Sequence, residues 1–456
     1  MHVDQLQARR TPAGAPVVHG IHLALWALDS LAAAQPDFPP FSALRAQFNK
    51  FVYPDERVEV VLTQLGPTSA GMDISVDGAP RSKITVEFGD AAKGGTDWSS
   101  TSLESIPFSP APLNLTFEQM SGRAGRLSFQ MTPDEAVALF PAATRWLGAR
   151  RIAALAASTY LVGMVCPGLN SIYGKLSISA CADENQEDSL AFHATGTDSL
   201  FRSVDQEIAG GGITGTVRSF ARTPPVAQAT MESLIGMVGP AEFAGSVALI
   251  VGGSRGLGEL TAKIIAAGGG HVLLTWKTGE DDAEKIAQEI RSAGGVCRTL
   301  AYDARKPAAE QLASLVEVPT HAYYFATPTI YRPQAEVFNT ERLKDFLSVY
   351  VDGFWQLSQA LRARQPKLSV FYPSSVFVTE RPKGMTEYAM AKAAGEALCA
   401  DMNLSLSPLH VTVNRLPRMA TDQTGSVSAV KTADSLETLL PLIREVQFWP
   451  RKEISD

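Results

Sequence analysis

The sequence predicts an α/β fold with a doubly wound parallel sheet in its C-terminal half and an α+β fold before it. First, an apolar run over residues 247–251 passes directly into a glycine-rich turn, and a helical pattern follows. Second, further strand-like runs follow that turn, at 271–276, 322–324, 368–372 and 411–414. Third, the first 240 or so residues contain the same order of elements twice, one helical pattern and then several strands, which indicates an internal repeat.

The glycine turn has the composition of a phosphate-binding loop. Its glycines are Gly252, Gly253, Gly256 and Gly258, and a helical pattern runs on over 259–267. A β-carbon in the turn would keep a pyrophosphate away from the backbone amides, and the positive end of the helix attracts the anion. The spacing Gly-x-x-x-Gly-x-Gly differs from the commonest dinucleotide fingerprint, so the turn alone also fits a structural glycine-rich loop.

A second element supplies acid–base chemistry. Tyr388 and Lys392 are four residues apart, so on a helix they share one face. A neighbouring ammonium lowers the pKa of a phenol, which lets a tyrosine act as a general acid near neutral pH. Ser375 lies thirteen residues before Tyr388, after an apolar run that predicts a strand.

Together these residues resemble the short-chain dehydrogenase/reductase family, over residues 243–425. The resemblance implies a Rossmann-type fold in which Ser375 orients the substrate carbonyl, Tyr388 donates the proton and Lys392 binds the nicotinamide ribose. It also implies that Asp303 hydrogen-bonds the adenine. The coenzyme-binding residues that follow from it are Gly252, Ser254, Arg255, Gly256, Leu257, Gly258, Lys277, Asp303, Tyr388 and Lys392.

The basic residues near the turn bear on the choice of coenzyme. Arg255 within the turn and Lys277 after the second strand occupy positions where a 2′-phosphate would lie. No acidic residue ends that strand, as a site specific for NAD would require. The sequence therefore favours NADP(H) over NAD(H).

Three short sequence motifs depart from the family pattern. The usual Asn-Ala-Gly after the fourth strand is replaced by Phe325-Ala326-Thr327, and the asparagine of the proton relay by Tyr350. The expected Pro-Gly after the sixth strand is Pro417-Arg418, and little sequence remains for a substrate lid. Catalysis is still expected, because Ser375, Tyr388 and Lys392 are all present.

The composition of the chain argues against several classes of binding partner. The net charge of −7 and the absence of a basic patch argue against nucleic-acid binding. The four cysteines (Cys166, Cys181, Cys297 and Cys399) show neither metal-ligand spacing nor a disulfide framework. The sequence shows no signal peptide and no apolar span of membrane length. We therefore expect a cytoplasmic protein without a metal site or a membrane partner.

The repeat and the composition shifts divide the chain into residues 1–112, 113–225, a linker at 226–242 and a reductase domain at 243–456. The first copy has a helix over 21–34 and strands over 42–48, 57–64, 71–76 and 82–88. In the second copy we expect strands over 113–120 and 125–130, and helices starting at Thr132 and covering 150–162. Further strands are expected over 175–182, 190–198, 203–208 and 213–220.

A long apolar helix wrapped by an antiparallel sheet is the hot-dog arrangement. His19-Gly20 before the helix, and Leu44-Arg45 through Pro54-Asp55 after it, resemble the MaoC-like dehydratases and hydratases of acyl thioesters. The resemblance implies a double hot-dog region in which His2 aligns with the catalytic histidine, while the catalytic aspartate would precede Met1. Either the true start lies upstream, or this copy has lost its acid and His2 is a solvated terminal residue. The second copy contains no catalytic motif with aspartate and histidine. It either shapes a tunnel for the acyl group or only pairs its sheet with that of the first copy.

These resemblances imply NADPH-dependent reduction of a 3-oxoacyl thioester to the 3-hydroxyacyl thioester, with the hot-dog region binding or dehydrating the acyl group. The substrate would be carried by coenzyme A or an acyl carrier protein, and the chain is expected to form a homo-oligomer. Two alternatives remain open. One is a reductase of a non-thioester ketone with a structural hot-dog region, and the other is a non-catalytic scaffold that binds acyl groups and NADPH.

Overall fold

The computed structural model describes residues 5–11, 13–35, 38–91, 103–181, 187–222, 224, 226–330, 337–419, 421 and 432–448. The chain forms two compact units. Among the described residues, 5–8 and 15–224 belong to the first unit, and 9–14, 226–421 and 432–448 belong to the second. No helix within these ranges has the length and apolar character of a membrane span.

One ten-stranded mixed sheet dominates the first unit. Its strands are β1 (Phe41–Phe48), β2 (Val58–Leu65), β3 (Ser69–Val76), β4 (Ala79–Phe88), β5 (Ser105–Ile106), β6 (Ala124–Ser128), β7 (Ser171–Ala180), β8 (Ser189–Asp198), β9 (Ser203–Gly210) and β10 (Ile213–Ala221). They lie in the order β2-β3-β4-β1-β7-β10-β9-β8-β6-β5. Only β5 and β6 pair in parallel, and all other neighbours are antiparallel.

The two halves of this sheet repeat one strand order. The helices of the unit are α1 (Gln5–Ala8), α2 (Gly20–Ala34), α3 (Phe117–Met120), α4 (Pro133–Leu139), α5 (Pro141–Leu147) and α6 (Ala149–Tyr160), and a π-helical turn (Leu161–Val165) continues α6. After α2 the strands lie as β1-β4-β3-β2, and after α6 they lie as β7-β10-β9-β8. The halves meet where β1 pairs with β7. Each half therefore shows the order of one helix and then four strands that the sequence predicts.

Local sequence explains the helix starts in this unit. Thr132 caps α4, because its side chain accepts a hydrogen bond from the Glu135 backbone while Glu135 reaches back to the Thr132 N–H. Asp29 of α2 accepts hydrogen bonds from the backbone N–H groups of Ala142 and Ala143, at 2.7 and 2.9 Å. Its carboxylate thereby satisfies the free N–H groups at the start of α5 and complements the helix dipole.

The predicted strand over residues 113–120 is wrong. Residues 117–120 form the short helix α3, and only Asn114 makes an isolated bridge, to Gly168. The reason is local, since Thr116 and Gln119 form a capping box that starts a helix at Phe117. The helix α5 before the expected helix at 150–162 was also not predicted.

A six-stranded parallel sheet forms the centre of the second unit. Its strands are β11 (Val247–Val251), β12 (His271–Trp276), β13 (Val296–Ala301), β14 (His321–Tyr324), β15 (Ser369–Ser375) and β16 (His410–Leu416). The order is β13-β12-β11-β14-β15-β16, and every pair is parallel. The central strand β11 is a continuous apolar run whose Ala248, Leu249 and Ile250 are fully buried, as a strand covered on both faces requires.

Helices connect these strands. They are α7 (Met231–Leu234), α8 (Gly256–Ala267), α9 (Glu280–Ser292), α10 (Ala308–Leu312), α11 (Thr340–Leu347), α12 (Phe354–Arg364), α13 (Phe377–Glu380), α14 (Thr386–Ser405) and α15 (Ser435–Gln447), with a π-helical turn at Ser348–Gly353. After β11 the chain builds β12 and β13 on one side and then returns to β14 on the other. This reversal opens a crevice at the carboxyl ends of β11 and β14, where doubly wound sheets bind ligands. The predicted Rossmann-like parallel sheet is confirmed.

Candidate active site

The glycine turn joins β11 to α8 and is tightly packed. Gly252 has a φ of +80°, and a Cβ there would lie 2.9 Å from the backbone nitrogen of Ala326. A Cβ on Gly258 would lie 2.4 Å from the carbonyl oxygen of Gly252. The first residue of α8, Gly256, also has a positive φ, +59°. Larger residues would therefore open the turn, whose closed form leaves the helix N-terminus facing the crevice.

His2, one of the predicted catalytic residues, lies outside the described residues. Every other predicted coenzyme-binding or catalytic residue lines one cavity of about 350 Å³. The cavity joins the glycine turn and the ends of β12 and β15 to α14. The predicted site residues on its wall are Gly252, Ser254, Arg255, Gly256, Leu257, Gly258, Lys277, Asp303, Ser375, Tyr388 and Lys392.

Lys277 and Asp303 form an ion pair at this cavity, with 3.0 Å between Nζ and Oδ2. Asp303 also accepts a hydrogen bond of 3.0 Å from the backbone N–H of Arg305. Partial burial opposes ionisation of Asp303, but these two contacts outweigh it and lower the pKa of the carboxyl group. The residue that the sequence places at the adenine is therefore an ionised carboxylate that already holds Lys277.

Ser375 is the last residue of β15, and Tyr388 and Lys392 lie on α14. Ser375 and Tyr388 are 8% and 9% exposed, so each is buried except where it meets the cavity. The Ser375 hydroxyl accepts a hydrogen bond of 3.2 Å from the Phe377 backbone, which leaves its own proton available for a ligand. The three residue types that the sequence singles out for acid–base chemistry therefore share one cavity.

Lys392 is held by a carbonyl and two aromatic rings. Its Nζ donates a hydrogen bond of 2.6 Å to the carbonyl of Pro373 and lies 3.9 Å from the ring centre of Tyr350 and 4.9 Å from that of Tyr372. Burial lowers the pKa of Lys392 to about 7, and the charge of Glu396 offsets this only in part. Near neutral pH the side chain can therefore exchange a proton.

Two of the departures from the family pattern touch each other. The Tyr350 hydroxyl lies 2.5 Å from the Thr327 hydroxyl, and Thr327 donates its own proton to the carbonyl of Pro328. Tyr350 must therefore be the donor to Thr327. Burial raises the pKa of Tyr350 well above its ordinary value, so its hydroxyl stays protonated. The residues that replace the relay asparagine and the Asn-Ala-Gly word thus form one hydrogen-bonded pair beside Lys392.

A match to a family model identifies the family of the domain built on the parallel sheet. The model described as short chain dehydrogenase matches residues 246–433. Residues 246–433 form a short-chain dehydrogenase domain. The domain is an oxidoreductase of that family, whose members use NAD or NADP.

Known proteins similar to the dehydrogenase domain share low identity with it. The oxidoreductase UcpA of Salmonella typhimurium is 24% identical over 209 residues, which are 44% of this chain and 79% of the relative. The 3-oxoacyl-[acyl-carrier-protein] reductase FabG of Aggregatibacter actinomycetemcomitans is 26% identical over 175 residues, 36% of this chain and 72% of the relative.

Solved structures resemble the same region. A 3-oxoacyl (acyl-carrier-protein) reductase from Agrobacterium tumefaciens with NADP bound is 20% identical, with a TM-score of 0.37, and the match covers 40% of this chain and 73% of the other. A short chain dehydrogenase from Burkholderia cenocepacia in complex with NADP is 21% identical, with a TM-score of 0.41, and the match covers 45% and 91%.

The dehydrogenase domain has room for a dinucleotide. The glycines of the turn carry no Cβ that would keep a pyrophosphate from the backbone at the start of α8. The N–H groups of Gly252 and Gly253 themselves are bonded to Thr275, which holds the turn closed. Ser254 and Arg255 lie within the turn and Lys277 lies across from it, so hydroxyl and cationic groups surround the same region. These residues fit the coenzyme that the family uses.

One cavity residue could not be found from the sequence. Arg9 lines the cavity, and the segment Arg9–Gly14 belongs to the second unit. It precedes the domain by more than 200 residues and carries no motif, so neither spacing nor composition connects it with the coenzyme site.

Proposed function

We propose that the dehydrogenase domain reduces a 3-oxoacyl thioester to the 3-hydroxyacyl thioester with NADPH. The observation that carries this proposal is the single cavity whose wall contains the glycine turn, Ser375, Tyr388 and Lys392. A thioester substrate is supported by the similarity to a 3-oxoacyl-[acyl-carrier-protein] reductase and by the resemblance of the sequence after His19 to acyl-thioester dehydratases. The acyl group would be carried by coenzyme A or by an acyl carrier protein.

The residues of the chain provide the acid–base part of this reaction. When bound, reduced nicotinamide supplies a hydride to the ketone carbon. Tyr388 donates its proton to the ketone oxygen, and the hydroxyl of Ser375 donates a hydrogen bond that orients the same oxygen. The protonated side chain of Lys392 stabilises the phenolate that Tyr388 becomes. The product is the alcohol, and solvent returns the proton to Tyr388.

We propose that NADPH is preferred, because Arg255 and Lys277 line the cavity where the adenosine ribose of a dinucleotide would be held. The end of β12 carries Trp276 and no acidic residue. A carboxylate at that point would bind the 2′-hydroxyl of NADH, and cations there favour a phosphate instead.

We further propose that the first unit is a double hot-dog domain that binds or dehydrates the acyl group. Support comes from the repeated strand order around α2 and α6 and from the continuous sheet through β1 and β7. In the second half β6 covers the outer edge of β8, so that five strands follow the order β7-β10-β9-β8-β6. The role of His2 in dehydration stays a prediction, because that residue lies outside the described part of the chain.

The test is NADPH oxidation with an acetoacetyl thioester of pantetheine. We expect the full chain to oxidise NADPH, and Tyr388→Phe to reduce kcat by about 100-fold or more, because the general acid is lost. Tyr323→Phe is the matched control, because its hydroxyl bonds to Gln447 in the protein interior, at 3.2 Å, and does not line the cavity. Equal rates for wild type and Tyr388→Phe would contradict the mechanism, and turnover of ethyl acetoacetate but not of the thioester would contradict the substrate class.

A further inference from the structure

The helix α14 is bonded to two consecutive residues at the end of the strand β15. Lys392 donates a hydrogen bond of 2.6 Å from its Nζ to the carbonyl oxygen of Pro373. One helical turn later, Oε1 of Glu396 accepts a hydrogen bond of 2.5 Å from the hydroxyl of Ser374. Because Lys392 and Glu396 are four residues apart, both bonds come from one face of the helix. The next residue of the strand is Ser375, which lines the cavity.

The helix and the strand touch directly at this place. A Cβ on Gly395, the neighbour of Glu396, would lie 2.0 Å from the hydroxyl oxygen of Tyr372, the strand residue before Pro373. The Tyr372 hydroxyl in turn donates a hydrogen bond of 3.1 Å to the carbonyl oxygen of Tyr350. The backbone of α14 therefore lies against the Tyr372 side chain, and little space remains to absorb a change in the Glu396 contact.

The carboxylate of Glu396 is held in the form that only accepts hydrogen bonds. Arg415 of β16 donates to both of its oxygens, from Nε to Oε1 at 2.8 Å and from Nη2 to Oε2 at 2.7 Å. These bonds and the bond from Ser374 outweigh partial burial and lower the pKa of Glu396. Ser374 is 3% exposed, so an apolar residue in place of Glu396 would leave a buried hydroxyl without this acceptor. We expect the end of β15 to shift in that case.

We infer that Glu396 is a positioning residue for the reduction and that it acts on the site through Ser374. Glu396 is not among the residues that line the cavity. Its carboxylate fixes the end of β15 against α14, so that Ser375 keeps its place relative to Tyr388. The inference rests on the reaction of the proposed function. Because misplacing a reacting group by about an ångström lowers the rate of the chemical step by up to about 100-fold, the expected signature is a fall in kcat without a rise in KM.

The test measures kcat and KM for acetoacetyl pantetheine, and the dissociation constant of NADPH, in the full chain. In Glu396→Leu we expect kcat to fall by about ten- to 100-fold, with KM and NADPH affinity within about threefold of wild type. Glu396→Gln keeps an oxygen that can accept from Ser374, and its kcat should stay within about threefold of wild type. Ser374→Ala removes the same contact from the strand and should lower kcat by a similar factor. Combined with Glu396→Leu, it should lower kcat no further.

Arg415→Gln is the matched control, because it breaks the ion pair of the same carboxylate and leaves the Ser374 contact in place. The side chain of Arg415 is 43% exposed, and an unpaired carboxylate is still ionised near neutral pH, so kcat should stay within about threefold of wild type.

The outcomes separate the inference from the proposed function. If wild type does not reduce the thioester, the proposed function fails and the inference fails with it. If wild type reduces it, three results overturn only the role of Glu396: a wild-type kcat in Glu396→Leu, a Glu396→Gln variant as slow as Glu396→Leu, or an equal loss of kcat and NADPH affinity. A wild-type kcat in Ser374→Ala overturns that role as well, whether or not Glu396→Leu folds.

Discussion

The hydrogen-bond acceptor of Lys392 and the rings nearest to its ammonium carry no formal negative charge, and the carboxylate of Glu396 acts on it only through a weaker electrostatic interaction. The acceptor is the Pro373 carbonyl, and the nearest rings belong to Tyr350 and Tyr372. The carbonyl dipole and the electron-rich ring faces stabilise a cation less than water does at a fully buried site, so the neutral amine is favoured. The same residue must be charged to stabilise a Tyr388 phenolate, which couples the proposed reaction to pH.

The shifted pKa of Lys392 makes stability depend on pH. Because its pKa is about 7 in the folded chain against an ordinary 10.5, the unfolded chain binds one more proton between these values. The free energy of unfolding of wild type should therefore rise relative to Lys392→Met, by up to about 1.4 kcal/mol per pH unit from about pH 7 to pH 10. Urea denaturation of both proteins at several pH values measures the difference.

Lys263→Met is the control for that experiment. Burial alone would lower the pKa of Lys263, but hydrogen bonds to Glu259 and Glu289 outweigh it and raise the value. Lys263 is therefore charged in both states over the same pH range, and the difference between wild type and Lys263→Met should stay level. If the difference in unfolding free energy between wild type and Lys392→Met also stays level with pH, the pKa of Lys392 is not lowered.

The hydroxyl pair of Tyr350 and Thr327 should behave as one unit. Thr327→Val leaves the buried hydroxyl of Tyr350 without this partner, and we expect it to lower the free energy of unfolding by about 1–2 kcal/mol. Tyr350→Phe leaves only the hydroxyl of Thr327, an exposed residue, and should lower it by about 0.5–1.5 kcal/mol. Because both changes remove the same hydrogen bond, the double variant should lose about 1 kcal/mol less than the sum. Denaturation of the four proteins gives this coupling.

Tyr324→Phe combined with Thr327→Val provides the additive comparison. The Tyr324 hydroxyl donates to the carbonyl of Val349, at 2.7 Å, and not to Thr327. Its effect should therefore add to that of Thr327→Val within about 0.5 kcal/mol. Additive effects in the Tyr350 pair as well would mean that its short contact contributes nothing.

Among the structural elements, the glycine turn is the one on which we expect coenzyme binding to depend. In Gly258→Ala the new Cβ meets the Gly252 carbonyl, and the turn must shift by several tenths of an ångström or more. We expect NADPH affinity to fall by about tenfold or more, because the backbone amides no longer converge on one phosphate. Titration of NADPH fluorescence measures the change.

Gly163→Ala serves as the control, since nothing lies within 4 Å of a Cβ at that position and its φ is not positive. It should bind NADPH as wild type does. Unchanged affinity in Gly258→Ala would place the pyrophosphate away from this turn.

Elements with their own local signals could be predicted from the sequence. The strand, turn and helix from Val247 onwards follow from glycines and an apolar run, and the start of α4 follows from its proline and capping box. The prediction of a strand over residues 113–120 rested on the alternation of apolar residues. It was wrong because the capping box at Thr116 starts a helix there. The helix α15 was not predicted, although it packs on the parallel sheet through a hydrogen bond from Ser369 to Val446.

The site was predictable to the extent that the family motifs mark it. The four-residue spacing of Tyr388 and Lys392 predicted that they share a helix face, and the family resemblance added Ser375 to them. The contact between Tyr350 and Thr327 has no such signal, because it joins residues 23 positions apart. The lowered pKa of Lys392 depends on burial among rings from separate elements. Arg9 is the extreme case, because only tertiary structure brings it to the cavity.

At the scale of the molecule, each of the two units has its own sheet and its own buried core. A division made along the chain assigns residues 9–14 to the N-terminal region, whereas the structure groups them with the dehydrogenase unit. The two proposed activities suit such a chain, because reduction of a 3-oxoacyl thioester yields the 3-hydroxyacyl thioester that a dehydratase would accept.

The proposed reaction transfers a hydride from NADPH to the ketone carbon of a 3-oxoacyl thioester and a proton from Tyr388 to its oxygen. The most direct test supplies NADPH dideuterated at C4 of the nicotinamide, with acetoacetyl pantetheine, and examines the product by mass spectrometry. Wild type should give 3-hydroxybutyryl thioester with one deuterium at C3, and Tyr388→Phe should give at least about 100-fold less. Unlabelled alcohol, or no reduction by a wild-type chain that binds NADPH, would contradict the proposed hydride transfer.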